Sequence, residues 1–215
     1  MRGVEWRLFL PCLDIRRAPA EARTLIALVD HLAPRARTDV YLKAGADVGV
    51  KRRGDGGLEF KALKRRQVLG GGVGPGQAET FKKVKLGEDA TPAHIVDHLR
   101  EEAAGGGEGA SGGVSGELEA LMSSPVEVSV HKSVRKVDTS VGEGEVCLEF
   151  TEIAVSSRAM PEAYPKKWMT FCVEGSIDAV EAFLGGTGKP LVALLSHREA
   201  LQVGYPQFVD MVSTP

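Results

Sequence analysis

The sequence predicts an α+β fold built on a largely antiparallel sheet. Three observations carry that prediction. Segment after segment shows the two-residue alternation of strands. The strands follow one another mainly in hairpin-like order, not as alternating strand–helix crossovers. Helical periodicity is confined to a few punctuated stretches. At 215 residues and 43% hydrophobic content, the chain suits one domain, 1–215, with a proper core.

"VEWRLFLP" (4–11) reads as a first strand, ended by Pro11. Residues 19–32 place Ala22, Leu25, Ile26, Val29 and Leu32 at helical spacing, and Pro34 closes that helix. "TDVYLKAG" (38–45), "DVGVKRR" (47–53) and "LEFKALKRR" (58–66) are strand-like, and "ETFKKVKLG" (79–87) alternates in the same way. Residues 91–103 form a second helix, with Thr91 able to cap it and Pro92 in its first turn. A Gly/Ser-rich stretch at about 103–117 reads as a flexible insert. Strand patterns resume at 125–137, 145–155 and 166–175. Ser176 then caps a helix that ends on glycines, and residues 190–202 can form another.

Charge is uneven along the chain. The formal net charge is −2, which argues against a protein that coats nucleic acid. Residues 35–66 nevertheless hold ten Lys/Arg against four Asp/Glu. A basic patch in an acidic chain points to a specific anion site. The hairpin "DVGVKRRGDGGLEFKALKRR" concentrates it. With a three-residue loop at Asp55-Gly56-Gly57, Arg53 faces Glu59 and Lys51 faces Lys61. A two-residue loop would set Arg53 against Leu58 and mix the faces. Lys51, Arg53, Glu59 and Lys61 then share one face, and Val48, Val50, Leu58, Phe60 and Ala62 the other. Like charges directly opposite destabilise a sheet unless something negative lies between them.

The second half repeats the separation. Glu145, Cys147, Glu149 and Thr151 share a face against Val146, Leu148 and Phe150. Thr170, Cys172 and Glu174 oppose Met169, Phe171 and Val173. Such faces allow two shapes, an open sheet with one wet face or a barrel with a polar lumen and helices outside. Cys12, Cys147 and Cys172 form no metal or redox motif, and their scarcity argues for a reducing compartment. That is the cytoplasm, or an organelle interior after loss of a transit peptide. No apolar run reaches membrane-spanning length. His94 and His98 have zinc-compatible spacing but lack an accompanying Glu. No nucleophile elbow, dinucleotide fingerprint or P-loop is present.

Taken in order, these pieces resemble the CYTH-like superfamily, the triphosphate tunnel metalloenzymes, and in particular bacterial members of unassigned function. "VEWRLFLP" is similar to the family's first strand and "RTDVYLKAGADVGVKRRG" to its tyrosine-bearing and basic strands. "LEFKAL", "HKSVRKV", "EVCLEF" and "TFCVEGSIDAVEAFL" resemble the later strands and a strand-to-helix step, and "GYPQFV" a closing Tyr-Pro motif. The resemblance implies an antiparallel β-barrel tunnel with flanking helices. It implies binding of a phosphorylated or polyanionic small molecule, with Mg²⁺ or Mn²⁺ held weakly. It also implies an anion site from Lys51, Arg53, Lys61, Lys132 and Arg135 and metal ligands from Glu5, Glu149 and Glu174, and Arg7, a cation where the family has a carboxylate, adds its guanidinium to the anion site. The family's Glu-x-Glu-x-Lys first strand is eroded here to Glu5, Arg7 and Phe9, and Cys172 replaces an acid near the end. Gly49 stands where many members carry a further Arg. The expected activity is therefore anion binding, with metal-dependent triphosphate hydrolysis retained only if the eroded site still works. The rival is a non-catalytic scaffold whose lumen is filled by internal ion pairs such as Arg7–Glu149. RNA binding is disfavoured by the net charge and by few exposed aromatic residues.

Overall fold

The computed structural model describes residues 3–11, 19–54, 56–70, 76–91, 93–98, 126–157 and 166–213. The predicted insert at 103–117 lies outside them. The eight strands are β1 (Val4–Pro11), β2 (Arg35–Lys43), β3 (Val48–Arg53), β4 (Leu58–Val68), β5 (Gln77–Lys85), β6 (Glu127–Val141), β7 (Gly144–Ser156) and β8 (Lys167–Gly175). They close into a barrel in the order β1-β5-β4-β3-β2-β6-β7-β8, and every neighbouring pair is antiparallel. The helices are α1 (Ala20–Val29), α2 (residues 93–98), α3 (Ile177–Gly185), α4 (Lys189–Leu194) and α5 (Tyr205–Val212). The predicted α+β class, with its closed antiparallel barrel and flanking helices, is the observed one. Among the described residues no helix is long and apolar enough to cross a membrane.

Alternation decides what is core. The outward residues of β1, Val4, Trp6, Leu8 and Leu10, join Leu148, Phe150, Phe171 and Val173 under α1, α3 and α4. Ser176 caps α3 by accepting a hydrogen bond from the Ala179 N–H at 3.2 Å. The outward residues of β3 and β4, Val48, Val50, Leu58, Phe60 and Ala62, pack under Ile95 and Val96 of α2. Apolar side chains thus cover the outside wall and leave the polar set to line the lumen.

The β3–β4 register differs from the expected one by two residues. Lys51 pairs with Glu59 and Gly49 with Lys61, so the two lysines are not opposite each other. The loop is longer than three residues, and Gly54 takes the left-handed turn conformation at φ 56°. The reason is electrostatic. In this register Glu59 meets Lys51 at 3.2 Å and Arg53 at 3.4 Å, replacing a like-charge pair with attraction. A slip of two residues keeps every side chain on its predicted face.

One seam is unusual. β1 and β5 share a single register pair, Glu5 with Glu79, whereas β6 and β7 pair along most of their length. Beyond that pair the gap is filled by residues 201–204. Phe9 and Leu201 exchange backbone hydrogen bonds at 2.8 and 2.9 Å, and the Gln202 amide donates to the Gln77 carbonyl at 2.8 Å. This strap delivers α5 to one end of the lumen. There Tyr205, Phe208, Val209 and Val212 pack against Phe9, Tyr41, Val128, Val130, Val155 and Trp168. Phe9 and Phe208 stack at 4.1 Å. The barrel is therefore a cup, plugged at one end by its own C-terminal helix.

Candidate functional site

Strand parity sends Glu5 and Arg7 of β1 into the lumen, together with Arg37, Asp39 and Tyr41 of β2. Lys51 and Arg53 of β3 and Glu59 and Lys61 of β4 join them, as do Lys83 and Lys85 of β5. Lys132 and Lys136 of β6, Glu149 of β7 and Glu174 of β8 complete the ring. They surround a cavity of about 240 Å³ whose inner end is formed by Tyr205 and Pro206 of α5. Among the described residues, nine lysines and arginines line it against four glutamates. Asp39 adds a fifth carboxylate, paired to Lys132 at 2.7 Å, so nine against five leaves a formal surplus of four positive charges.

Two networks divide the wall. On β2, β3 and β6, the fully buried Asp39 faces Lys132 at 2.7 Å, Arg37 at 3.5 Å, Arg53 at 3.6 Å and Lys51 at 3.7 Å. Burial and surrounding cations lower the Lys132 ammonium well below its ordinary value, although Asp39 pulls it back. Lys51 is lowered too, mainly by burial, with Arg53 adding to the effect. For Asp39, burial opposes the charged form but Lys132 and Lys51 overcome it, so its carboxyl is lowered. Burial is the first cause of the lowering of both lysines, and neighbouring cations add to it, whereas the same cations are what lower the acid.

On β1, β7 and β8, Arg7 bridges Glu5 at 3.1 Å and Glu149 at 3.2 Å and donates to the Thr170 hydroxyl at 3.3 Å. Lys61 holds Glu5 at 2.6 Å, Lys136 holds Glu149 at 2.7 Å and Lys83 holds Glu174 at 3.0 Å. Burial alone would raise Glu5, but Lys61 and Arg7 bring it down to about 2. Glu149 lies lower still, for the same reason, with Arg7 and Lys136 as its partners.

Five of the six predicted anion ligands, Arg7, Lys51, Arg53, Lys61 and Lys132, line this cavity. Arg135 does not. It stands opposite the outward-packed Phe150 and pairs with Glu152 at 3.4 Å on the outer wall. Lys136, one residue on, has the lumen parity in its place. The predicted metal ligands Glu5, Glu149 and Glu174 all reach the lumen, but each is held by a cation. Among the described residues no group of three His, Cys, Asp or Glu is arranged to hold a metal ion. The two histidines do different work. His94 accepts from the Thr91 N–H at 3.0 Å, and His98 packs edge-on to Phe60 at 5.4 Å. Asp39, Arg37 and Tyr205 were missing from the expected site. Asp39 and Arg37 carry a signal, since they share the parity of Tyr41 in a strand leading to the basic hairpin.

Fold and site together define a closed antiparallel barrel with a cation-rich, one-ended lumen. No known family model matches the chain, and no curated protein matches it. Among solved structures, the chain is similar to a Bacillus halodurans protein provisionally assigned as an adenylate cyclase. The two are 13% identical over 95% of each chain, with a TM-score of 0.38.

Proposed function

We propose that the protein binds a phosphorylated, polyanionic small molecule in the barrel lumen, of the triphosphate class. The single observation behind this reading is the surplus of four positive charges in a one-ended cavity of about 240 Å³. The excess sits in the half-exposed cations Arg53, Lys83 and Lys136, where solvent tolerates it and its field attracts an incoming anion. A triphosphate chain carries about the complementary charge and accepts hydrogen bonds along its length. The ligand lies against the wall of Arg37, Lys51, Arg53 and Lys132, where burial and, after it, neighbouring cations depress the lysines.

Mg²⁺ or Mn²⁺ contributes little in this proposal. The Arg7 guanidinium lies between Glu5 and Glu149, where two carboxylates would otherwise hold a divalent cation, so the donor set fits a metal poorly. Glu174, the third acid, is tied to Lys83. Binding without phosphoanhydride hydrolysis follows. A second reading, a scaffold with a self-neutralised lumen, is favoured by the Arg7–Glu149 and Lys61–Glu5 pairs. Isothermal titration of tripolyphosphate in EDTA, then with Mg²⁺, separates the two. The proposal expects binding in EDTA, weakened about tenfold or more by Lys51→Ala. Absence of binding in both conditions supports the scaffold. Binding only with Mg²⁺, accompanied by hydrolysis, refutes the metal-independent mode.

A further inference from the structure

Six lysines line the cavity among the described residues, and geometry sets one of them apart. Four hold a carboxylate at 3.0 Å or less: Lys61 on Glu5 at 2.6 Å, Lys132 on Asp39 at 2.7 Å, Lys136 on Glu149 at 2.7 Å and Lys83 on Glu174 at 3.0 Å. Lys85 is exposed. Lys51 is held more loosely, 3.2 Å from Glu59 and 3.7 Å from Asp39. Neither acid is its own. Arg53 of the same strand reaches both, at 3.4 Å and 3.6 Å, Lys85 stands opposite Glu59 in the sheet, and Lys132 and Arg37 share Asp39. Two carboxylates thus serve a cluster of cations. The Lys51 side chain is 18% exposed, whereas that of Lys132, the other lysine on Asp39, is 2% exposed. Burial first, and Arg53 after it, lower the Lys51 ammonium, although Asp39 and Glu59 oppose them, so the neutral amine is reached more readily than on a surface lysine. A lysine with a reachable, loosely held amine among other cations is a nucleophile. Binding of a polyanion uses only its charge.

We propose that Lys51 Nζ is an acylation site for small acyl phosphates, drawn into the lumen by their phosphate. This rests on the polyanion reading and adds a covalent step to it. The half-exposed Arg53 guanidinium takes the phosphate through paired hydrogen bonds. Because Arg53 and Lys51 reach the same two carboxylates, the carbonyl carbon next to that phosphate then lies beside Nζ. The neutral amine attacks that carbon. An N–C bond forms, the bond between the carbonyl carbon and the phosphate oxygen breaks, and the proton lost by nitrogen leaves with the phosphate as HPO₄²⁻. The step needs no further reactant. Its product is a neutral amide. It takes one positive charge from the surplus of four and covers part of the wall that the polyanion uses. Acylation therefore turns the anion site down as the supply of activated acyl groups rises.

Incubating the full chain with acetyl phosphate in EDTA, and following its peptides by mass spectrometry over time, reads every lysine at once and needs no variant. A parallel incubation uses N-hydroxysuccinimidyl acetate, an acetyl donor without phosphate. The exposed Lys167 and Lys189 serve as internal references. The proposal expects acetyl phosphate to modify Lys51 at least about tenfold faster than the references. It expects the succinimidyl ester to show no such preference, and saturating tripolyphosphate to abolish the preference seen with acetyl phosphate. Protein acetylated at Lys51 should bind tripolyphosphate about tenfold more weakly. Lys51 modified no faster than Lys167 and Lys189 overturns the proposal, as does a preference for another cavity lysine. An equal preference with the ester shows reactivity without phosphate guidance and also overturns it. If tripolyphosphate still binds in a parallel titration, the anion site stands without the acylation. If it does not bind, both readings fall.

Discussion

Replacing Arg7 with methionine measures how far the lumen depends on its buried ion network. Arg7 stands 3.1 Å from Glu5 and 3.2 Å from Glu149, and all three side chains are less than a tenth exposed. Methionine keeps much of the stem and removes the charge. Glu5 then retains Lys61 at 2.6 Å and Glu149 retains Lys136 at 2.7 Å. Removing one partner of a buried pair costs about 3–5 kcal/mol, and the surviving lysines place this variant near the lower end, about 3 kcal/mol. Acid provides a second arm. Glu5 is buried, yet Lys61 and Arg7 hold its folded pKa at about 2 against an ordinary 4.5. A carboxylate lowered by folding stabilises the fold fully above its unfolded value and loses that contribution as pH falls toward the folded one. In wild type the Glu5 contribution is worth about 3 kcal/mol and disappears between pH 4.5 and 2. The variant has less of it to lose. The gap between the two proteins should therefore be widest at neutral pH and narrow at about pH 3. Urea unfolding at both pH values is the assay. A neutral-pH difference under about 1 kcal/mol, or one that does not narrow in acid, refutes the reasoning. Adding Glu149→Gln to Arg7→Met should recover part of the loss, because it removes one under-compensated charge.

Three further outcomes are expected. Gly49→Ala would place a Cβ 2.9 Å from the Pro206 ring, so it should cost about 1–3 kcal/mol by overpacking, read as a lower melting temperature. Leu201→Pro removes the N–H that donates to the Phe9 carbonyl at 2.9 Å. It should cost at least about 1 kcal/mol and speed hydrogen exchange at the Phe9 amide, which an intact seam would not allow. Ser176→Ala removes the α3 cap and should cost about 1 kcal/mol in urea unfolding, whereas Ser176→Asp should retain most of the stability.

Parity made most of this molecule legible. In β7 and β8 the alternation of Glu149 with Phe150, and of Cys172 with Phe171, separates the polar face from the apolar one, and the closed barrel makes the polar face a lumen. The hairpin faces were equally clear, but its register was not. Parity is blind to a shift of two residues, and a glycine-rich loop accepts several lengths. Arg135 shows the opposite failure. In "HKSVRKV" cations occupy both parities, so charge alone does not tell Lys132 and Lys136, which face the lumen, from Arg135, which does not. Asp39 shares its parity with Tyr41, but a lone acid in a basic stretch reads as surface until four cations converge on it. The Tyr-Pro segment carried no signal for a plug. Its eight-residue helix is short, and only the barrel end it fills gives its aromatic residues a destination.

The strap at the β1–β5 seam also bears on the order in which the molecule can be made. Residues 201–204 are synthesised after every strand of the barrel. As the chain leaves the ribosome, β1 waits for β8, its one extensive partner, and then for Leu201 on its other edge. Until that segment emerges, most of one β1 edge has open hydrogen-bonding groups, and the aromatic end of the lumen faces water. A nascent chain stalled before residue 201 is thus an eight-stranded sheet with an open flank, the kind of edge that pairs with other chains. The intermediate most exposed to aggregation, and to chaperone capture, is the one that has all the barrel strands but not yet the strap.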